Sequence, residues 1–153
     1  MQIELLKAGA ANSVGVDISE GYVAAARELA KSLGMGAVTE YRVADFAADA
    51  DTVAAADIVI MNHVVCCYPH MPALVKPAAQ HAQRVLALTF PREAWWMRAG
   101  QRLLNFGMWI LRRDFRFFVH SHAAIVAVVT ESGLRPVVDR FSGVWRMMVF
   151  ERR

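Results

Sequence analysis

The sequence predicts an α/β fold in which helices flank a doubly wound, mostly parallel sheet that ends in an antiparallel hairpin. Short apolar runs alternate along the chain with segments of helical periodicity, which is the order expected of parallel strands joined by crossover helices. The last two apolar runs, 135–141 and 144–152, are separated only by Ser142 and Gly143. A turn that short cannot hold a crossover helix, so these two strands are expected to be antiparallel.

The first half of the chain predicts three strands with helices between them. Ser19 follows the first strand and is a typical N-cap residue, and Glu20 occupies the first turn of the next helix. Apolar residues at helical spacing then continue to Gly34, which ends that helix. The predicted elements of this half are the end of a helix at 3–9, strands at 13–18, 38–46 and 57–65, and a short helix at 50–56.

The second half predicts a helix, a strand, a long aromatic segment, a further helix and the hairpin. A helix that began at Pro72 would hold Pro77 in its interior at a cost of about 3 kcal/mol. The regular helix is therefore expected to begin near Pro77 and to end near Gln83. The next predicted elements are a strand at 84–90 and, after the aromatic segment, a helix at 121–133.

The aromatic segment, 92–120, is expected to form a lid or an insertion whose helix has two faces. One helical face carries polar residues: Arg98, Arg102, Asn105 and Arg112. The other is apolar: Trp95, Ala99, Leu103, Phe106 and Ile110. Such a helix is typical of a lid over an acceptor pocket, of a helix packed on the sheet with its arginines in water, or of a helix on a membrane surface. The sequence favours the first two over the third.

Composition indicates one domain spanning 1–153 and a cytoplasmic location. No run of about 20 apolar residues is present, and the N-terminus lacks a signal pattern. The two cysteines are adjacent, which disfavours a structural disulfide. Residues 77–153 contain twelve arginines and no lysine, but no recognisable nucleic-acid motif accompanies them. No nucleic acid is expected as a partner, and no particular oligomeric state is predicted.

Four segments together resemble the class I S-adenosylmethionine-dependent methyltransferases, whose Rossmann-like fold ends in an antiparallel strand. They are "VGVDIS", "VADF", "DIVIMNHVVCCYP" with the following "RVLALTFP", and "ESGLRPVVDRFSGVWRMMVFER". The third segment is also similar to a branch of small-molecule methyltransferases that includes the magnesium-protoporphyrin type. The resemblance implies S-adenosylmethionine as cofactor and methyl transfer to a small molecule.

The resemblance also implies roles for residues at the carboxyl ends of the strands. Asp17, with Ile18 beside it, would bind the ribose hydroxyls; the alternative for Asp17 is a helix-capping carboxylate. Asp45 would accept a hydrogen bond from the adenine amino group while Phe46 packs on the ring; the alternative for Asp45 is an ordinary turn residue.

Asn62, His63 and Tyr68 would line the site of methyl transfer. His63 would act as general base and Tyr68 would orient the acceptor, whereas Asn62 would contact the cofactor. The alternative is that His63 and Tyr68 are packing residues. His63, Cys66, Cys67 and His70 are close in sequence, but no second Cys/His pair with zinc-motif spacing follows, and no metal site is predicted.

One departure from the family pattern concerns the N-terminus. The family's first strand and glycine-rich loop are missing, and only twelve residues precede the strand that should come second. The sequence therefore predicts an N-terminally truncated domain in which Met1 is not the natural start. Two alternatives to an active methyltransferase are a non-catalytic partner protein with the same fold and a nicotinamide-dependent reductase, although the latter's Tyr-x-x-x-Lys pair is absent.

Overall fold

The computed structural model describes residues 2–153, which form two compact units, one ending at Thr52 and the other spanning Val53–Arg153. The elements of the first unit are α1 (Gln2–Lys7), β1 (Ser13–Asp17), α2 (Glu20–Ser32), β2 (Thr39–Val43) and α3 (Phe46–Asp49). Those of the second are β3 (Ala56–Asn62), α4 (Met71–His81), β4 (Ala82–Pro91), α5 (Trp95–Ile110), α6 (His122–Glu131), β5 (Leu134–Ser142) and β6 (Trp145–Arg152).

The first unit is a βαβ arrangement in which α2 connects two parallel strands. Strands β1 and β2 pair in register from Ser13 opposite Thr39 to Asp17 opposite Val43. Gly15 is needed in β1, because a Cβ there would lie 2.8 Å from a ring carbon of Tyr41. The hydroxyl of Ser19 accepts a hydrogen bond from the backbone of Tyr22 at 3.3 Å, which confirms the predicted N-cap of α2.

The second unit contains a four-stranded sheet in the order β3-β4-β6-β5. Strand β3 pairs with β4 in parallel, whereas β6 pairs antiparallel with both β4 and β5. The largest fully buried side chains of the chain lie in this unit: Phe90, Phe150, Leu86, Leu88, Ile125, Leu134, Val65, Val75 and Val129. The fold class and the closing hairpin are therefore confirmed, with the hydrogen-bonded strands divided between a two-stranded and a four-stranded sheet.

The predicted start of the helix near Pro77 is wrong. Helix α4 begins at Met71 and carries Pro77 in its interior. Its buried face comprises Met71, Leu74, Val75, Ala78 and Ala79. Burying a large apolar side chain contributes about 1.5–3 kcal/mol, so this face outweighs the cost of about 3 kcal/mol for an internal proline.

Two predicted strands are shorter than expected at their carboxyl ends. Strand β2 ends at Val43, and Asp45 lies beyond it as the N-cap of α3. Strand β3 ends at Asn62, and His63 lies outside it with φ of 61°. In both places the chain leaves the sheet near a polar residue. The predicted strands were too long because they followed the apolar sequence pattern beyond that point.

Helix α5 forms most of the predicted insertion and contains no buried residue. An irregular strap, residues 112–121, leads from it to α6. The backbone N–H of Phe118 donates to the carbonyl of Cys66 at 2.7 Å, which attaches the strap to the loop after β3. Among the helices of residues 2–153, none is long and apolar enough to cross a membrane.

Arg152, in the last strand, connects the C-terminal ends of two helices. Its guanidinium donates to the carbonyls of Ala79 and Ala82 at the end of α4, at 2.7 Å and 2.6 Å. It also donates to the carbonyl of Ser132, the residue after α6, at 3.1 Å. These carbonyls have no partner within their helices, and a cation there interacts favourably with both helix dipoles.

Replacing Arg152 should therefore destabilise the second unit. We expect Arg152→Lys to lower the free energy of unfolding by about 2 kcal/mol, because an ammonium group cannot bond to all three carbonyls and hydrogen bonds to charged groups contribute roughly 1.5–3 kcal/mol. Urea unfolding followed by tryptophan fluorescence measures this unit, since all four tryptophans lie in it. Arg135→Lys is the matched control: Arg135 forms only an exposed pair with Glu151 at 3.8 Å, and its loss should cost less than about 1 kcal/mol. Equal effects of the two substitutions would contradict the prediction.

Candidate functional site

Asp17 ends β1 and is part of the turn into α2. One oxygen of its carboxylate, Oδ1, accepts a hydrogen bond from the backbone N–H of Ser19 at 2.8 Å. Within residues 2–153 the other oxygen, Oδ2, has no hydrogen-bond partner. The side chain is half-buried and follows a parallel strand, at the edge where ligands of α/β sheets bind. Oδ1 of Asp17 thus shapes the turn, and Oδ2 is available to a ligand.

Asp45 has a similar arrangement after the neighbouring strand. Its Oδ1 accepts a hydrogen bond from the backbone of Ala47 at 2.9 Å and so caps α3, whose first residue is the half-buried Phe46. The backbone of Ala44 donates to the carbonyl of Asp17 at 3.1 Å, which keeps the two strand ends adjacent. The helix-capping alternative for Asp17 is wrong, because Ser19 caps α2 and Asp17 shapes the turn before it. Asp45, for which an ordinary turn role was the alternative, is a helix cap. Each carboxylate uses only one of its oxygens in this role.

These residues fit the adenosine half of S-adenosylmethionine. A ribose offers two hydroxyl donors and an adenine offers an amino group, and each carboxylate has an unpartnered oxygen to accept them. Ile18 follows Asp17 at the same edge of the sheet, and 75% of its surface is exposed. The described residues before β1 contain no glycine-rich loop that would contact the methionine half.

His63 is the first residue after β3 and has an unusual backbone. Its φ of 61° lies in the left-handed region, which is costly for residues other than glycine and is found at functional sites. The imidazole stacks on the ring of Trp145, with centroids 3.9 Å apart and planes inclined by 29°. Since β3 and β6 lie on either side of β4, the stack spans the end of the central strand. In the described chain no hydrogen bond involves either ring nitrogen.

The two cysteines lie next to His63 and share one acceptor. The thiols of Cys66 and Cys67 lie 3.3 Å and 3.7 Å from the carbonyl oxygen of His63, and no disulfide joins them. Burial and the neighbouring Cys67 raise the pKa of the Cys66 thiol to about 12, so Cys66 stays protonated at neutral pH. Among residues 2–153, no three His, Cys, Asp or Glu side chains are grouped as metal ligands.

Asn62 and Tyr68 flank this turn. Asn62 is the exposed last residue of β3, and Tyr68 is half-buried at the end of the 3₁₀ turn Val65–Cys67. The carbonyl of Tyr68 accepts a hydrogen bond from Nε2 of His120 at 3.0 Å. Burial lowers the pKa of His120 below its ordinary value of 6.5, so this ring is neutral at pH 7. His120 therefore attaches the strap to the loop that carries Tyr68.

A polar network at the carboxyl end of β4 was not predicted from the sequence. The carboxylate of Glu93 accepts hydrogen bonds from Arg98 and, at 3.0 Å, from the backbone of His122. The backbone of Glu93 donates to Nε2 of His122 at 2.8 Å, and Nδ1 of that ring lies 2.5 Å from Arg146. A neutral imidazole accepts at only one nitrogen, so the two donors compete for the ring.

Asp139 completes this network. It holds Arg146 by two hydrogen bonds, of 2.7 Å to Nε and 2.5 Å to Nη2. The hydrogen bond from Arg146 lowers the pKa of Asp139, and the backbone of His122 lowers that of Glu93. Strand register brings Asp139 near Arg146, because Arg146 pairs with both Phe90 and Phe141. Glu93 and His122 join them from the segment after β4 and from the start of α6. No local motif could have indicated it.

Comparison with known proteins identifies the family. Residues 1–87 match the family model of a methyltransferase domain, which is more than half of the 153 residues. The chain belongs to this methyltransferase family. The resemblance inferred from the four sequence segments is thereby confirmed. No curated protein matches the chain.

Solved structures of methyltransferases share the fold of this family member. The magnesium protoporphyrin IX methyltransferase of Synechocystis PCC 6803 with bound SAH superposes with a TM-score of 0.78 at 23% identity, covering 99% of this chain and 68% of its own. An O-methyltransferase family protein of Burkholderia thailandensis gives 0.74 at 18% identity, covering 92% and 43%. Mitomycin 7-O-methyltransferase gives 0.68 at 18%, covering 93% and 42%. The chain thus spans between about two-fifths and two-thirds of these neighbours.

The half-buried His120 of this methyltransferase domain should make its stability depend on pH. The folded state binds the imidazole proton less tightly than the unfolded state, so the unfolded chain gains protons first as the pH falls below 6.5. We expect the free energy of unfolding to fall between pH 7.5 and 5.5, and to fall less in His120→Gln, whose side-chain amide can still donate a hydrogen bond. Urea unfolding at both pH values measures this difference. An equal fall in both proteins would contradict the prediction.

Proposed function

We propose that the protein binds S-adenosylmethionine and transfers its methyl group to an oxygen of a small-molecule acceptor. The observation that carries this proposal is the family match over 1–87, the part of the chain in which Asp17 and Asp45 follow neighbouring parallel strands. The first unit would supply the residues that bind the adenosine moiety. The second unit would supply those that act on the acceptor.

In the first unit, the two carboxylates would bind through oxygens that have no hydrogen-bond partner among the described residues. Asp17 would accept hydrogen bonds from the ribose hydroxyls through Oδ2 while Oδ1 keeps its bond to Ser19. Asp45 would accept from the adenine amino group, and Phe46 and Ile18 would pack on the adenosine. A carboxylate already fixed by a backbone hydrogen bond loses little side-chain entropy when it binds a ligand.

In the second unit, His63 is proposed as the general base. S-Adenosylmethionine supplies an electrophilic methyl group on a sulfonium, and the acceptor oxygen becomes nucleophilic when a base removes its proton. The stack on Trp145 fixes the orientation of the His63 ring, and its nitrogens have no protein partner among the described residues. Asn62 and Tyr68 lie one and five residues from His63, and we assign to them contacts with the cofactor and the acceptor.

The acceptor class is inferred from the neighbours' names. Magnesium protoporphyrin IX and mitomycin, named as substrates of two neighbours, are both ring compounds. We therefore propose a ring compound as acceptor.

Titration with S-adenosylhomocysteine tests cofactor binding. We expect calorimetry to detect binding to the chain, and Asp17→Asn to weaken it about tenfold or more, because one ribose hydroxyl then meets an amide donor instead of a carboxylate oxygen. Asp51→Asn, in an exposed turn of the same unit, should bind as the natural sequence does. Absence of binding to the natural chain would overturn the proposal and favour a non-catalytic protein with this fold.

Methyl transfer tests the role of His63. With labelled S-adenosylmethionine, and magnesium protoporphyrin IX as the first acceptor, we expect His63→Gln to lower kcat on the order of a hundredfold, the usual contribution of a general base. Binding of S-adenosylhomocysteine should not change. His70→Gln, an exposed histidine nearby, is the control and should retain activity. If both histidine variants kept the natural rate, the base would have to be another group.

A further inference from the structure

Helix α5 contacts the rest of its unit through its polar side. The side-chain oxygen of Gln101 accepts a hydrogen bond from the backbone of Val119 at 3.1 Å. The Asn105 amide binds both the N–H and the carbonyl of Phe117, at 2.8 Å each. The half-buried residues of α5 are 97, 101, 105, 107 and 108, and all but Gly107 recur at helical spacing on this side. Unlike a normal surface helix, α5 turns two amide side chains inward, together with Met97 and Met108, and leaves its largest apolar residues exposed.

The opposite side of α5, here called the outer face, is apolar and exposed. It comprises Trp95, Ala99, Leu103, Phe106 and Ile110, which recur at spacings of three and four. The exposed fraction is 82% for Trp95, 73% for Leu103 and 58% for Ile110. A contiguous apolar stripe of this size on a surface marks an interaction site. The charges beside the stripe indicate which kind of partner it fits.

Positive charge borders the outer face. Arg98 and Arg102 lie along one flank of the helix, and the strap adds Arg112, Arg113 and Arg116. Between residues 94 and 116 the only acidic residue is Asp114. Trp109, with 64% of its surface exposed, lies among the arginines of that flank. Exposed tryptophan and arginine beside an apolar stripe are the features of helices that lie in the interface of anionic membranes.

We propose that the outer face of α5 docks on the surface of a membrane rich in anionic lipids. The apolar side chains would enter the acyl boundary while the arginines contact headgroup phosphates. This reverses the order of alternatives taken from the sequence. A lid would turn its apolar face towards the protein, whereas here Gln101 and Asn105 face the protein and the tryptophans face outward.

A second copy of the chain fits the outer face less well. Two α5 helices packed by their apolar stripes would bring the flanking arginines of both copies close together. Arg98 is already paired with Glu93, and Asp114 is the one acidic residue among the five arginines, so most of this positive charge would be unpaired; like charges at an interface cost several kcal/mol. Anionic headgroups provide the missing negative charge, so the charge pattern favours lipid.

Vesicle binding tests the proposal. We expect the chain to bind vesicles of phosphatidylglycerol and phosphatidylcholine in a 1:3 ratio at least tenfold more tightly than pure phosphatidylcholine vesicles, with a blue shift of tryptophan fluorescence. The double substitution Leu103→Ser/Ile110→Ser should weaken this binding at least tenfold. The control, Tyr22→Ser/Leu29→Ser, removes two exposed apolar side chains from α2 and should bind normally.

A second variant separates the contributions of charge and apolar area. Arg102→Gln/Arg113→Gln should weaken binding to the anionic vesicles roughly tenfold and leave binding to neutral vesicles unchanged. Circular dichroism verifies that each variant is folded. Equal binding to anionic and neutral vesicles, or no binding to either, would overturn the proposal. So would self-association of the natural chain that Leu103→Ser/Ile110→Ser abolishes while vesicle binding persists, because a second copy would then cover the outer face.

Discussion

The arrangement of the second unit depends on strand β4, which is hydrogen-bonded along both of its edges. Parallel pairing with β3 and antiparallel pairing with β6 satisfy its backbone, and Leu86, Leu88 and Phe90 are buried on it with at most 1% of their surface exposed. Because β3 and β6 flank its carboxyl end, His63 and Trp145 meet there. The same register places Arg146 beside His122 and Asp139. A core of ordinary apolar residues thus positions His63, the proposed general base, at the end of this strand.

The sequence predicted the fold class because its signals are local and agree with one another. Ser19 and Gly34 delimit α2, and the two-residue turn after β5 leaves only an antiparallel partner. Asp17 and Asp45 were singled out for the same reason, since each lies at the carboxyl end of a predicted strand. Helix α4 was misplaced because the cost of Pro77 is visible in the sequence, whereas the burial of five residues around it depends on tertiary packing.

Other features could not have been predicted, because they join residues that are distant in sequence. The network around Arg146 connects positions 93, 122, 139 and 146 through strand register. The orientation of α5 depends on Gln101 and Asn105, whose partners are backbone atoms of an irregular strap. A helical wheel shows that α5 has two faces. It cannot show that backbone groups of 117–119 provide the hydrogen bonds that turn Gln101 and Asn105 inward.

The pair of cysteines after β3 has a practical consequence. Burial keeps Cys66 protonated and out of reach, whereas Cys67 is exposed, four residues from His63. The sequence contains no other cysteine. A maleimide reagent therefore has one accessible target, and a fluorophore or spin label attached there would sit beside the turn that carries the strained His63. Cys67 therefore provides a labelling site for spectroscopy at this turn, and no cysteine has to be introduced by mutation.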